Sequence, residues 1–173
     1  LSEPSYLHSP GGSVFGGVKL GKVIRKYLLS TDVAQLDPAQ NRRRDSKPGE
    51  CYSACAMAFL GGEYRYLKRG SILGFHRFFW EKRTENDADL AQILSAMEVE
   101  YIRSMDVNTE LFTVASQAGR DDVIAPAQDD LVRLNVVNNG VKGDGPKTAC
   151  TGGCRVTHLR CAREVQRDGR PKQ

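Results

Sequence analysis

The run Ser53–Leu60, SACAMAFL, contains only small or apolar residues and is closed by Gly61-Gly62. A helix made of it has no polar face, so it must be buried on every side, with the rest of the chain packed around it. The glycine pair that follows is a helix terminator. A chain of 173 residues, 40% hydrophobic and 27% charged, is long enough and apolar enough to bury one such element in a single globular core. The entry to this helix is ECYS, which places Ser53 between Cys51 and Cys55. Serine there is either a helix N-cap or an exposed nucleophile. The C-x-x-x-C spacing departs from the C-x-x-C of redox motifs. The two cysteines therefore read either as a clamp on the helix entry or as two buried thiols.

Around this helix the pattern alternates between strands and helices. Ser5–His8 reads as a strand end running into the turn SPGGS. Val14–Leu29 reads as a helix with Val14, Val18, Gly21 and Leu28 on one stripe and Ile24 beside it. Gly17 and Gly21, four apart, call for close approach to another backbone. Asp32–Leu36 is a short strand, and Asp37–Glu50 is a polar loop with two prolines and an Arg triplet. Tyr64–Leu67 and Ile72–His76 read as strands joined by KRGS. Ala88–Met105 is the clearest amphipathic helix, with Leu90, Ile93, Leu94, Met97, Tyr101 and Met105 at helical spacing. Thr109–Gln117 and Ala127–Leu134 complete the helices, and Asn135–Val137 is a last strand. This order predicts an α/β fold with largely parallel strands over residues 1–138, followed by a Gly-rich linker and tail over 139–173.

Charge and cysteines set limits on function. The net charge of +4 comes from the tail, which from Asn139 onward has eight Lys/Arg against three Asp/Glu. No nucleic-acid reading motif accompanies it, so specific nucleic-acid binding is not expected. No apolar run reaches the ~18–20 residues of a membrane span. Gly16–Lys22, GGVKLGK, has phosphate-loop spacing, but Val23 stands where Ser or Thr should hold magnesium, and the segment lies inside a helix. The tail holds Cys150, Cys154, His158 and Cys161, a weak zinc set without the usual C-x-x-C knuckle; a disulfide or no defined site are its alternatives. No cofactor is expected.

Acyl transfer needs a nucleophile, a base and N–H donors for the oxyanion. Ser53 can serve as the first, with the N–H of Ala54 behind it and the Pro10-Gly11-Gly12 turn as a source of a second donor. His76, at the end of an apolar strand, is the base; His8 and His158 lie beside the glycine turn and in the tail. A helix cap and a hydrogen-bonded structural histidine are the alternative accounts of the same residues.

Three ordered blocks, LHSPGGSVFGGVKLGKVIRK, CYSACAMAFLGG and GSILGFHRF, resemble the signature blocks of the Clp protease proteolytic subunit and its relatives in the superfamily shared with crotonases. The match is closest to the bacterial Clp-like proteins predicted to be periplasmic, and it covers roughly Ser5 to Val137. It implies a spiral of ββα units and a serine hydrolase or peptidase acting on peptide or related acyl bonds. Homo-oligomers built through helix contacts and an exported location follow from it too, with the cytoplasm as the alternative. Carried over, Ser53 is the nucleophile, His76 the base, and Gly12 and Ala54 the oxyanion donors. The orienting carboxylate does not carry over: Ser116 or Gln117 stands at its place, with Asp121 the nominated substitute, Asp122 beside it and Asp106 upstream. The family has further strands before SPGG, so an N-terminal truncation is expected. No feature points to an unfolding ATPase. A non-catalytic Clp-like scaffold and a crotonase-type acyl-CoA enzyme are the other readings.

Overall fold

Six short strands and five helices alternate along residues 3–36, 46–79, 87–119 and 122–140, the part of the chain that the computed structural model describes. In order they are β1 (Ser5–Leu7), α1 (Val14–Lys26), β2 (Thr31–Gln35), β3 (Lys47–Pro48), β4 (Glu50–Tyr52), α2 (Ala54–Leu60), β5 (Arg65–Leu67), β6 (Ile72–Gly74), α3 (Asp87–Ser104), α4 (Glu110–Gln117) and α5 (Gln128–Arg133). The α/β class expected from the sequence is the one observed. β2 is the centre of one sheet, with β1 and β5 parallel on either side, so that Thr31 faces both Ser5 and Arg65. β3 adds to β2 antiparallel at Ala34 and Gln35. β4 and β6 form a second parallel pair. Ser9 bridges to Cys51, which carries the chain after β1 across to that second sheet.

The helix α2 is buried at all of its residues, as its composition demands. Helix α1 lies against it at glycine contacts: a Cβ on Gly17 would strike the backbone of Ala54, and one on Gly61 would strike the backbone of Gly21. Beside Gly21, buried Tyr101 of α3 donates its hydroxyl to the Met57 carbonyl at 2.6 Å. The KLGK segment sits inside α1, its backbone N–H groups committed to helix bonds, so the phosphate-loop spacing carries no loop. Among the described residues no helix is long and apolar enough to cross a membrane.

Several sequence expectations are corrected. The strand read over Ile72–His76 ends at Gly74, and the two strands joined by KRGS enter different sheets, β5 beside β2 and β6 beside β4. Helix α1 stops at Lys26, and Leu28, at φ 53°, is exposed rather than part of the buried stripe. In α3 the buried face is Leu94, Glu98, Tyr101 and Ile102, whereas Leu90 and Ile93 are 39% and 64% exposed. Asn135–Val137 is not a strand. Asn135 turns to φ 55°, and the carbonyls of Asn135 and Val136 accept hydrogen bonds from Arg65 instead of a strand partner.

Arg65 is 1% exposed and its guanidinium donates to five main-chain carbonyls: Leu60, Gly62, Met105, Asn135 and Val136, at 2.7 to 3.3 Å. These carbonyls lie at or just past the ends of α2, α3 and α5, where helices leave acceptors unpaired. Replacing it with Met keeps most of the apolar stem and strands several buried acceptors. Arg65→Met should therefore lose about 3–5 kcal/mol of stability in urea unfolding. Arg65→Lys, with a single donor centre, should recover only part of the loss.

Candidate functional site

Ser53 stands between strand β4 and helix α2, and its backbone is held at φ 56°, ψ −121°. That region is sterically disfavoured for residues with a Cβ and is costly unless its surroundings enforce it. The enforcement is visible. The Ser53 N–H donates to the Gly74 carbonyl of β6 at 3.0 Å, and the Ser53 carbonyl accepts from Met57 at 3.1 Å. Cys51 and Cys55 on either side are joined by a disulfide, with their Cα atoms 5.2 Å apart. The clamp is thus the observed one of the two cysteine readings. The side chain of Ser53 makes no capping bond to α2. Ser13, at the head of α1, shows the contrast: its hydroxyl accepts from the Gly16 N–H. A serine on a sharp strand-to-helix turn, not used as a cap, has its hydroxyl free for chemistry. Because glycine tolerates this φ, Ser53→Gly should stabilise the fold by about 1 kcal/mol in thermal or urea unfolding. Ser53→Ala keeps the strain and should not.

The glycine turn lies directly against this corner. Ser9 donates to the Glu50 carbonyl at 2.9 Å and accepts from Tyr52 at 3.1 Å, which fixes the turn beside β4. Gly11 and Gly12 both have positive φ, 114° and 144°. A Cβ on Gly11 would come within 2.8 Å of both the Ser53 Cβ and the Tyr52 carbonyl oxygen, so glycine is required by close approach. Around Gly12 there is open space, and Gly12, Ser53 and Ala54 line one cavity.

His76 lines the same cavity. Its Nδ1 lies 2.7 Å from the Arg77 carbonyl oxygen, and the ring stacks on Phe79 at 5.8 Å between centroids. A carbonyl only accepts, so Nδ1 carries the proton and Nε2 of the neutral ring keeps the lone pair. Among the described residues no hydrogen bond joins Ser53 to His76, though both line the cavity. His8 is taken up otherwise: its Nδ1 accepts from the Glu50 N–H at 3.0 Å.

No carboxylate reaches the His76 ring among the described residues. Asp106 pairs with Arg25 at 3.0 Å. Ser116 donates its hydroxyl to the Phe112 carbonyl within α4. Asp122 is exposed, two residues before Ile124, whose backbone pairs with Phe75 next to the histidine. Asp121 lies outside the described residues, as do Cys150, Cys154, His158 and Cys161 of the tail. Among the described residues no group of three His, Cys, Asp or Glu is placed to hold a metal.

The cavity has a volume of about 550 Å³, within the range of ligand pockets. Its walls include Val14, Phe15, Met57, Phe75, Phe78 and Phe79, and they also include Glu98. Sequence reasoning missed Glu98, although it sits one helical turn from Leu94 and from Tyr101. An acid inside an apolar stripe was the available signal. Glu98 is 7% exposed, and burial pushes its carboxyl from 4.5 up to about 7. Below about pH 4.5 it is neutral in the folded and unfolded states alike. Between about pH 4.5 and 7 the unfolded state has given up the proton that the folded state keeps, so stability falls across that window and levels off once the buried group is itself ionised above 7. A shift of that size corresponds to about 3 kcal/mol. Glu98→Gln should accordingly be more stable than wild type near pH 8 by up to that amount in urea unfolding, and the gain should vanish near pH 4.

No protein-family model matches the chain, and no curated protein matches it.

Proposed function

We propose that the protein is a Clp-like serine hydrolase that cleaves peptide or related acyl bonds, with the spiral of ββα units and the helix-mediated oligomers of that family. The observation that carries the reading is Ser53, held at φ 56° on a strand-to-helix turn with its hydroxyl uncapped, on a cavity shared with His76, Gly12 and Ala54. In this reading the Ser53 Oγ attacks the substrate carbonyl as His76 Nε2 takes its proton. The N–H groups of Ala54 and Gly12 receive the oxyanion. Collapse of the tetrahedral adduct expels the amine, protonated by His76, and leaves an acyl-serine that water, activated by the same histidine, hydrolyses. The Arg77 carbonyl does the orienting that a carboxylate does in a full triad. A neutral dipole stabilises the imidazolium less than a carboxylate, so turnover slower than that of a full triad is expected.

The clamp between Cys51 and Cys55 supports an exported, oxidising location. Exposed Leu90 and Ile93 on α3 support helix-mediated self-association. The absence of a carboxylate on His76 among the described residues favours the second reading, a non-catalytic scaffold of the same family. The two separate cleanly. A fluorophosphonate should label the wild-type protein and not Ser53→Ala, and His76→Ala should slow labelling at least about 100-fold. Folded wild-type protein that stays unlabelled would remove the hydrolase reading and leave the scaffold.

A further inference from the structure

Glu98 is the buried acid of the cavity that also holds Ser53 and His76. It reaches that cavity from α3, while the other groups come from α2, the glycine turn and the segment after β6. A carboxyl is a poor choice for a wall that packing alone could fill, because the charged form loses its hydration and needs a partner. Among the described residues it has none. No described lysine or arginine lines the cavity, and no hydrogen bond or ion pair joins Glu98 to a described side chain. Most of the cavity's other walls are aliphatic or aromatic, suited to an alkyl stem and to a cation over a ring face. A space of this volume is on the order of 10 Å across, room enough for one extended side chain in the cavity that Ser53 and Glu98 share.

We propose that Glu98 is the cation-recognition group of this cavity, and that the substrate presented to Ser53 carries a lysine- or arginine-like side chain. Calling the cationic ligand a substrate rests on the hydrolase reading; the subsite itself rests on the cavity. A guanidinium or ammonium entering the cavity supplies the partner that Glu98 lacks, through a charge-assisted hydrogen bond strengthened by the burial of the acid. A neutral isostere leaves the acid unpaired, and an acidic side chain meets like charge, so the site discriminates against both. His76 is the other titratable group among the residues that line the cavity.

The test uses 4-aminobenzamidine, an aromatic amidinium, and its neutral counterpart 4-aminobenzamide. Binding is measured by calorimetry to wild type, Ser53→Ala and Glu98→Gln. The amidinium should bind wild type and Ser53→Ala alike, and at least about 10-fold more weakly to Glu98→Gln. The amide should bind wild type more weakly than the amidinium does and be indifferent to Glu98→Gln. Comparing the two probes on wild type alone needs no variant to fold. Equal affinity of wild type and Glu98→Gln for the amidinium, equal affinity of wild type for the two probes, or no binding by folded wild type overturns the proposal. If the amidinium binds through Glu98 while fluorophosphonate fails to label Ser53, the cation subsite stands and the hydrolase reading falls. If Ser53 is labelled and the amidinium is not preferred over the amide, the hydrolase reading stands and the cation subsite falls.

Discussion

A guanidinium that forms no ion pair among the described residues holds the fold together. Arg65 is buried among the carbonyls that end α2, that follow α3, and that turn the chain after α5. Helix C-termini present several unpaired acceptors with partial negative charge, and a planar five-donor group answers them in a way no apolar side chain can. Arg25 of α1 reaches the same place, donating to the Gly61, Gly62 and Met105 carbonyls and to Asp106. Two cations so close oppose each other. Burial first, and Arg25 second, lower Arg65 to about 10, which leaves it charged at neutral pH. The carbonyl dipoles carry the stabilisation, and they tie α1, α2, α3 and α5 to one point.

That point lies at the C-terminal end of α2, and the proposed nucleophile lies at the other end, about 10 Å away along a helix of seven residues. Pinning one end of a short, wholly buried helix leaves little freedom at the other. What freedom remains is removed locally by the β6 carbonyl on Ser53, by the disulfide, and by Gly11 packed on the Ser53 Cβ. The strained backbone at Ser53 is therefore a product of the global packing as much as of the turn itself. A residue kept in a disfavoured conformation needs such redundancy, because no single contact would offset a cost of about 1–3 kcal/mol.

The parts of this architecture that were legible in the sequence are those that a local pattern determines. The all-apolar run of α2, the Gly-Gly stop after it, the Gly17–Gly21 pair and the helical spacing of α3 each follow from residues a few positions apart. Ser53, His76 and the glycine turn were legible as a constellation for the same reason, since each sits at an element end. What depended on distant partners was not legible. Nothing near Arg65 announces that five carbonyls from three stretches of chain will surround it. The choice of β2 over β6 as the partner of β5 is a long-range pairing. The face that α3 buries is set by Tyr101 reaching Met57, which rotates Leu90 and Ile93 outward and Glu98 inward. The hydrogen bond from His76 to the Arg77 carbonyl is invisible to a search for a carboxylate, because every residue carries a carbonyl.

Arg65 and Glu98 together show how the fold separates structure from its proposed chemistry. Both are buried charges, and each would be a liability alone. Arg65 is answered completely from within, and its cost returns as a joint between helices. Glu98 is answered by nothing among the described residues, and burial lifts its carboxyl to about 7. A protein that needed only a filled cavity would place glutamine or leucine there and gain stability near neutral pH. Keeping an acid at a position where it weakens the fold is what a site under a binding requirement does, since preorganised recognition groups are costly in the empty state. The same logic covers Ser53, where glycine would be less strained. Two residues on one cavity, each worse for the fold than an available alternative, make that cavity the part of the molecule that packing alone does not explain.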